Sequence, residues 1–296
     1  MTSCCFGPGL SRPFLFEWYM KTDWRLIKSE ALTGAENMAQ DEALLESVVN
    51  GSSLPVLRLY RWSPATVTLG YGQRGSDVVN LSACKELGLD VVRRCTGGRA
   101  VLHDHEMTYA VMSHDQSSVF PGGVLNNYQV IARVLQQTLA QIGLDVQLSM
   151  ERSHGLEGVG AERSACFTAP GQFELVYQGH KLAGCAQKRY GGSFLHHGSV
   201  PLVIDLVQLF QALNTRPGLD PSTGANLLMR HVGWLNRWLS VPVTLEQLET
   251  AFIETCADLL QVDFIDDQLT AAEQLRVSEL CELRYANPEW NQLGLC

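Results

Sequence analysis

Residues 93–104, RRCTGGRAVLHD, form the most distinctive stretch of the chain. Adjacent glycines at positions 97 and 98 allow the backbone to approach a ligand closely, while the arginines and the histidine supply charge or hydrogen bonds. Such a loop suits an anionic or carbonyl-bearing ligand. Its spacing matches neither GxxxxGK[ST] nor GxGxxG, so it does not by itself indicate a nucleotide site. A tight turn with solvated arginines would explain the same residues.

The segments around this loop have the composition of strands. Val91 to Arg94 precedes it and Met107 to Ser113 follows it, so the glycines are predicted to lie between two strands rather than to open a helix. Upstream, Pro55 to Trp62 and Ala65 to Tyr71 are rich in β-formers and are separated by the turn-forming pair Ser63-Pro64. These two segments are predicted to be neighbouring strands.

Helical and strand patterns alternate along the rest of the first 200 residues. Trp24 to Lys28 alternates as a strand does, and Ala35 to Val49 has helical spacing behind a capping-box pattern. Leu125 to Ile142 is an amphipathic helix. Three strand candidates joined by short glycine turns follow: Phe173–Tyr177, His180–Ala186 and Ser193–Leu202. The pattern predicts an α/β (α+β) fold in which a mixed β-sheet is flanked by helices.

The chain divides into three predicted parts. Residues 1–20 are interrupted by glycine and proline and are predicted to be a disordered leader, with Met20 as a second candidate start. Residues 21–240 are predicted to form the main domain, which contains the candidate catalytic residues described below. Residues 241–296 are predicted to be a small helical lobe packed on it, with helices over Leu245–Leu260 and Leu269–Tyr285 around a short strand, Val262–Ile265.

The composition of the chain argues against several functional classes. Of the 296 residues 46% are hydrophobic and 18% charged, and the formal net charge is -9, which argues against nucleic acid as a partner. No segment has the pattern of a spanning helix, so no membrane association is predicted. Nine cysteines without CxxC spacing suggest neither a disulfide framework nor a thiolate zinc site. We predict a reduced, cytoplasmic protein without a bound metal.

Cysteine is the side chain most suited to nucleophilic chemistry here. Cys166 lies in a turn-rich loop with several glycines, where a thiol can be exposed and reactive. Cys84, Cys256 and Cys281 fall within helical patterns and are expected to pack as small apolar groups. Cys185, which lies in a predicted strand, is the other candidate for the nucleophile. Since most free cysteines are structural, the residues alone leave the nucleophile open.

Lys181 and a histidine pair are the other candidates for chemistry. Lys181 precedes apolar Leu182 and Ala183, and a partly desolvated lysine can accept a proton from a thiol or an amine. A solvated lysine at a strand edge is the commoner case. His196 and His197 are adjacent on a strand and therefore point to opposite faces, so at most one should face a pocket.

Four motifs in this order resemble the biotin/lipoate protein ligase superfamily. They are RRCTGGRAVLHDHEMTY at residues 93–109, ACFTAP around Cys166, GHKLAGCAQKR containing Lys181, and HHGSV ending at Val200. The resemblance extends from about Trp24 to Asn291. Within the superfamily the chain is most similar to LipM-type octanoyl-[acyl-carrier-protein]:protein N-octanoyltransferases.

This resemblance implies a mixed sheet that encloses a tunnel for an acyl chain. It implies that Cys166 attacks the thioester of octanoyl-acyl carrier protein and passes the octanoyl group to a lysine of the glycine-cleavage H protein or an E2 lipoyl domain. Lys181 would accept the proton, and no cofactor is needed because a thioester is already activated. The implied acyl- and substrate-binding residues are Arg94, Thr96, Gly97, Gly98, Arg99, Ala100, His103, Gly184, His197 and Gly198.

Other functions share parts of this pattern. An ATP-dependent lipoate-protein ligase would need ATP and Mg²⁺ but not the cysteine of the ACF motif, which is present here. The LipB-type octanoyltransferases carry their cysteine just before the final His-Gly strand, where this chain has Gly192-Ser193-Phe194. A carrier-to-carrier octanoyl amidotransferase and a non-catalytic acyl-binding module remain alternatives. Cys185 stands where relatives are expected to have serine.

The acidic net charge bears on how carrier proteins would bind. Acyl carrier proteins and lipoyl domains are usually acidic themselves, so docking requires a local basic surface. We predict such a surface near Arg93, Arg94, Arg99, Lys188 and Arg189.

Overall fold

A computed structural model describes residues 21–149, 173–213 and 218–293. Its largest sheet has six strands: β1, which lies next to one edge strand, runs parallel to both of its neighbours, and the remaining pairs are antiparallel. The predicted mixed sheet is therefore confirmed. In spatial order the strands are β10 (Gly184–Tyr190), β11 (Ser193–Pro201), β6 (Glu106–His114), β2 (Val56–Trp62), β1 (Thr22–Leu32) and β12 (Val262–Asp267).

Two three-stranded sheets accompany the main sheet. The second sheet has the order β4 (Asp90–Arg93), β3 (Thr66–Leu69) and β5 (Val101–His103). The third sheet is formed by β7 (Gln147–Leu148), β8 (Leu175–Tyr177) and β9 (His180–Lys181).

Helices pack on both faces of the main sheet and against the second sheet. In chain order they are α1 (Gly34–Val49), α2 (Gly75–Val78), α3 (Leu81–Glu86), α4 (Val124–Gln141), α5 (Leu206–Leu213), α6 (Pro221–Leu228), α7 (Leu245–Leu260), α8 (Ala271–Leu280) and α9 (Pro288–Leu293). The described residues also contain a 3-10 turn at Leu235–Arg237 and a π-helical turn at Cys281–Tyr285. Because α1 and α8 cover one face and α4 and α7 the other, β6 is buried along almost its whole length.

Helix α1 shows how local sequence sets these positions. The predicted capping box is present: the Thr33 hydroxyl accepts from the Glu36 N–H, and the Glu36 carboxylate accepts from the Thr33 N–H. Behind it, Met38, Leu45 and Val48 are buried against the sheet. The start of α1 is therefore fixed by the chain itself, and its apolar face fixes its orientation.

Two strand predictions were wrong in detail. β2 and β3 are not neighbours, because β2 pairs with β1 and β6 in the main sheet while β3 pairs with β4 and β5 in the second. The predicted strand His180–Ala186 is split into β9 and β10. Leu182 and Ala183 cause the break, since both are buried in the same core and consecutive residues of a strand cannot face the same side.

The chain beyond residue 240 is closely integrated with the rest. Strand β12 pairs with β1 as an edge of the main sheet, and Phe252 of α7 is buried in the core that covers β6. Arg25 of β1 connects these parts, because its guanidinium binds Glu273 at 2.7 and 2.9 Å and Asp267 at 2.6 Å. Whether residues 241–296 would form a separate lobe stays a prediction.

Replacing Arg25 should strongly destabilise the fold. In Arg25→Met the buried Glu273 carboxylate loses its counter-charge, which costs about 3 kcal/mol of unfolding free energy. Urea denaturation would measure the loss. The matched control is Arg61→Met, which removes an exposed ion pair with Glu249 and should cost less than about 1 kcal/mol. Equal effects of the two substitutions would contradict the assignment.

Candidate functional site

A narrow slot with a cavity volume of about 30 Å³, partly open to solvent, lies between the main sheet and the second sheet. Both sheets and α1 contribute side chains, so the packing of the two sheets creates the site. The lining residues are Met38, Tyr60, Trp62, Thr68, Arg94, Val101, His103, Thr108, Gly184, Cys185, Ala186, His197, Gly198 and Ser199.

One wall of the slot contains a chain of hydrogen bonds that runs from Asp41 through His197 to Thr96, here called the first relay. His197 binds Asp41 Oδ2 through Nδ1 at 3.0 Å and Thr96 Oγ1 through Nε2 at 2.7 Å. Asp41 also accepts from Arg58 at 2.6 Å and from the Tyr60 hydroxyl at 3.0 Å. Both ring nitrogens of His197 are therefore used within the protein.

The opposite wall contains a second relay of the same kind. His103 binds Glu106 Oε1 through Nδ1 at 2.6 Å and Thr68 Oγ1 through Nε2 at 2.9 Å. Glu106 also accepts from the hydroxyls of Thr108, at 2.5 Å, and Ser199. The His103 ring stacks on Trp62 with centroids 4.4 Å apart. This carboxylate–histidine–threonine arrangement is the counterpart of the first.

Arg94 joins the two relays. Its Nε donates to Thr96 Oγ1 at 3.1 Å and its Nη1 donates to Thr68 Oγ1 at 3.0 Å. Its Nη2 donates to the carbonyls of Gly97 at 2.7 Å and Arg99 at 2.8 Å. Every guanidinium nitrogen thus donates to a protein oxygen, and Arg94 holds the glycine loop against the second sheet.

These hydrogen bonds orient the backbone of the loop. In a trans peptide the N–H points opposite to the preceding carbonyl, so the Gly98 N–H points away from Arg94. Within the described residues, neither the Gly97 nor the Gly98 N–H has an acceptor, and both glycines are exposed. Gly98 has φ +97°, which an L side chain rarely adopts. The loop therefore presents two unused donors outward.

Arg93 fixes the same loop from the other side. It is fully buried, and its guanidinium donates to the carbonyls of Gly70 at 2.8 Å and Tyr71 at 2.9 Å. It also donates to the carbonyls of Trp290 at 2.8 Å and of the two residues that follow it, Asn291 and Gln292, at 3.2 Å. Helix α9 is thereby attached to the loop. The predicted basic docking surface is wrong for Arg93 and Arg94, because both are buried in hydrogen bonds that build the protein.

Burial and pairing set the ionisation of the first relay. Burial would raise the pKa of Asp41, but the hydrogen bond from His197 and the charge of Arg58 outweigh it, so the pKa lies below its ordinary value. Burial lowers the pKa of His197, although Asp41 opposes the shift. The pair is thus a carboxylate beside a neutral imidazole near neutral pH.

The other face of the main sheet holds a separate polar chain. Tyr109 Oη lies 3.3 Å from Cys185 Sγ and 3.1 Å from His196 Nε2. His196 Nδ1 lies 3.3 Å from Gln187 Oε1 and therefore donates to it, which leaves Nε2 to accept from Tyr109. Burial, with a smaller effect of His197, lowers the pKa of His196 to about 3. The two histidines face opposite sides as predicted, and His197 is the one in the slot wall.

Lys181 is buried, so the solvated strand-edge reading is wrong. Its ammonium lies 2.6 Å from Glu174 Oε1, and its backbone pairs with His231 and Gly233. It belongs to β9, in a different sheet from the slot residues that follow it on β10. Cys166 lies outside the described residues.

The other cysteines of the described part differ in their surroundings. Burial raises the pKa of Cys84 to about 11, and burial together with Glu42 raises that of Cys95 to about 12. Burial also raises the pKa of Cys256 and Cys281. Thiols with raised pKa values are poor nucleophiles at neutral pH, as the helical patterns of three of them indicated. Cys185 is half-buried, and its thiol lies beside Tyr109 on the other face of the main sheet from the slot.

The structure brings most of the predicted binding residues together. Five of these residues line the slot: Arg94, His103, Gly184, His197 and Gly198. Thr96 lies directly behind the slot, where it binds His197. Gly97 and Gly98 are exposed at its edge, whereas Arg99 contributes its carbonyl to Arg94. Ala100 is fully buried in the core below the second sheet. Their contacts with a substrate stay a prediction.

Sequence reasoning missed the acidic members of both relays. Asp41 lies three residues after Met38 and four before Leu45, on the apolar side of α1, and a carboxylate in such a stripe signals a buried partner. Glu106 begins β6 two residues before Thr108, on the same face. Neither partner could be identified, because His197 and His103 come from distant parts of the chain.

Comparison with solved structures identifies the architecture. The bi-partite lipoate protein ligase from Thermoplasma acidophilum aligns with a TM-score of 0.77 at 24% identity, covering 93% of this chain and 98% of that one. A lipoate-protein ligase A bound with ATP aligns with a TM-score of 0.74 at 23% identity, covering 93% and 100%. The fold is that of the lipoate protein ligases, as the sequence motifs predicted.

Sequence comparison defines the family. The model of the lipoyl protein ligase A/B catalytic domain matches residues 33–257, and the chain belongs to this family. The octanoyltransferase LipM of Brevibacillus brevis is 36% identical over 272 residues, covering 90% of this chain and 98% of that protein. That of Bacillus subtilis is 36% identical over 274 residues, covering 92% and 98%. The chain is an enzyme, an acyltransferase. In the described ranges, no helix is both long and apolar enough to cross a membrane.

A substitution at Gly70 should displace the glycine loop. A Cβ at this position would lie 2.0 Å from the Gly98 carbonyl oxygen, so Gly70→Ala must push the loop away at a cost of about 1–3 kcal/mol. Both the melting temperature and the enzymatic activity should fall. Gly72→Ala is the matched control, since a Cβ there meets nothing within 4 Å. A stable and active Gly70→Ala protein would show that the loop is not fixed by this contact.

His196 should make the fold sensitive to acid. Its pKa is about 3 in the folded protein and near 6.5 in the unfolded chain, so below pH 6.5 the unfolded chain binds the extra proton. The free energy of unfolding should therefore fall with decreasing pH by up to about 1.4 kcal/mol per unit, until pH 3. His196→Gln should flatten this dependence in urea titrations at several pH values. Parallel curves for the two proteins would refute the assignment.

Proposed function

We propose that this enzyme transfers an octanoyl group from octanoyl-acyl carrier protein to a lysine of a lipoyl-dependent carrier domain, through a thioester on Cys166. The acceptor would be the H protein or an E2 lipoyl domain, and the product would serve lipoate biosynthesis. Relatives at 36% identity are named octanoyltransferase LipM, and a structural neighbour is described together with its E2 lipoyl domain. The wall of the slot supports the same conclusion.

The observation on which the proposal rests is that the polar residues of the slot satisfy one another. His197, His103 and Arg94 direct their nitrogens to Thr96, Thr68, two carboxylates and loop carbonyls, as described above. What remains facing the empty space is largely carbon, including Met38 and Val101. A slot of this kind favours a hydrocarbon chain over a charged ligand, because the polar groups have no hydrogen bonds left to offer.

The same hydrogen bonds weigh against a nucleotide-binding role for the two motif arginines. An ATP-dependent ligase must hold phosphates, and guanidinium groups are the usual side chains for that purpose. The guanidinium groups of Arg93 and Arg94 both donate hydrogen bonds to protein oxygens. A thioester donor needs no such group, because its acyl carbon is already activated.

Each step of the proposed route balances without a co-reactant. The Cys166 sulfur attacks the acyl carbon, the bond from that carbon to the carrier sulfur breaks, and the carrier leaves as a thiol with the proton of Cys166. The acceptor amine then attacks the acyl-cysteine, an amide forms, and Cys166 regains a proton from the amine. Lys181 would carry these protons.

Glu174 holds Lys181 in place. The pair is buried and 2.6 Å long, and such an ion pair stabilises the ammonium form. Lys181 must therefore give up a proton before it can accept one from the thiol.

The outward N–H groups of the glycine loop supply a place for the acyl oxygen. Tetrahedral intermediates of acyl transfer are stabilised by preorganised backbone donors. Gly97 and Gly98 offer two such donors at the edge of the slot, and Arg94 holds them rigidly. We propose these glycines as the oxyanion donors.

Cys185 is a weaker candidate for the nucleophile. Its thiol contacts the Tyr109 hydroxyl, which in turn binds His196. The pKa of Tyr109 is raised well above its usual value, mainly by burial, and that of His196 is lowered to about 3. The phenol and this imidazole are therefore both poor acceptors for a thiol proton.

Intact mass after incubation with octanoyl-acyl carrier protein, without ATP, tests the proposal. Wild type and Cys185→Ser should each gain one octanoyl group that hydroxylamine removes, and Cys166→Ser should gain none. The matched serine substitutions separate the two thiols. An adduct that survives in Cys166→Ser but not in Cys185→Ser would reverse the assignment. No adduct in any protein, with acyl-adenylate formed from lipoate and ATP, would make the enzyme a ligase.

A further inference from the structure

The slot runs across the strands of the main sheet rather than along them. One register row crosses β10, β11, β6 and β2 in turn and contains Gly184, Ser199, Thr108 and Tyr60. All four residues line the slot. Neighbouring strands lie about 4.8 Å apart, so the row measures about 14 Å from Gly184 to Tyr60. The slot therefore has a defined length, which is set by the number of strands that it crosses.

The two ends of this row differ in their exposure to solvent. At the β10 end, a Cβ on Gly98 would lie 3.9 Å from the Ala186 Cβ, and Gly98 is exposed. At the β2 end, Tyr60 is 2% and Trp62 is 9% exposed. A ligand of the slot therefore enters beside the glycine loop, and its far end points to β2.

Trp62 forms the wall at the β2 end. It follows Tyr60 by two residues, on the same face of the strand, and it also lines the slot. Its indole stacks on the His103 ring with centroids 4.4 Å apart, and its Nε1 donates to Thr108 Oγ1 at 2.8 Å. The Tyr60 ring lies 5.5 Å from it, centroid to centroid. Ring contacts and a hydrogen bond thus hold the indole in place.

Beyond Trp62 the chain turns at the protein surface. Trp62 is the last residue of β2, and the next two residues, Ser63 and Pro64, are exposed. A ligand longer than the slot would have to displace the indole in order to extend further. Removing the indole would lengthen the slot toward this turn.

The side walls of the slot can adapt where its end cannot. A cavity volume of about 30 Å³ is well below the roughly 150 Å³ in which a protein can bind benzene, so side chains along the slot must move when an acyl chain binds. Met38 lines the slot and has an unbranched, flexible side chain. The Trp62 indole, by contrast, would lose both its stack and its hydrogen bond. Binding therefore changes the width of the slot more readily than its length.

We infer that Trp62 sets the length of the acyl chain that the enzyme accepts. The inference rests on the proposed function, since it takes the slot as the acyl site, with the acyl carbon beside the glycine loop. An extended peptide rises about 3.3 Å per residue of three bonds, or about 1.1 Å per bond. With about 4 Å for contact with the end wall, an octanoyl group needs about 12 Å and a dodecanoyl group about 16 Å. The row of about 14 Å accommodates only the shorter chain.

Donors of different chain length test this role of Trp62. Acyl-enzyme formation is timed by intact mass with octanoyl-, decanoyl- and dodecanoyl-acyl carrier protein. The wild type should react with octanoyl at least about tenfold faster than with dodecanoyl. Trp62→Leu should lower that ratio at least about fivefold, because the slot becomes longer. Trp62→Phe keeps a ring on His103 but is shorter than the indole, so it should gain activity with decanoyl and not with dodecanoyl. The matched control Trp234→Leu replaces a half-buried tryptophan outside the slot and should leave both ratios unchanged.

The outcomes separate this inference from the proposed function. Wild-type ratios in both Trp62 variants, with acyl-enzyme still formed, overturn the inference alone. A wild type that uses dodecanoyl as fast as octanoyl also overturns it. If Trp62→Leu does not fold, the decanoyl-to-octanoyl ratio of Trp62→Phe decides in the same way. Failure of the wild type to form acyl-enzyme from any of the three donors overturns the proposed function itself.

Discussion

The site depends on the fully engaged guanidinium of Arg94. This one group reaches the second sheet through Thr68, the first relay through Thr96, and the glycine loop through two carbonyls. Because a planar guanidinium donates in fixed directions, it sets the relative positions of all three. A lysine would keep the charge but could not hold these directions at once. The geometry of the slot therefore depends on one buried side chain.

The walls of the slot combine buried polar residues with a largely carbon surface. Buried carboxylates and imidazoles are costly unless they are paired. His103 of the second sheet binds Glu106 of the main sheet, and His197 of the main sheet binds Asp41 of α1. The first pair connects the two sheets, and the polar residues thus build the walls while mostly carbon faces the slot, which suits the acyl chain proposed above.

Much of this organisation could be predicted from sequence, and the failures have clear causes. Local signals were reliable: the capping box located α1, and the glycine pair marked a loop between β4 and β5. The pairing between strands could not be predicted reliably, because β2 and β3 are close in sequence yet join different sheets. Arg93 and Arg94 were expected at the surface because their acceptors are mostly backbone carbonyls, which have no signature in a sequence.

The attachment of α9 to the glycine loop has a consequence for the order of events during synthesis. Arg93 binds carbonyls that lie 197 to 199 residues further along the chain. A nascent polypeptide that has already emerged past the loop still lacks these acceptors, and the buried guanidinium then has unsatisfied donors. The loop can therefore reach its final conformation only after almost 200 further residues have been translated.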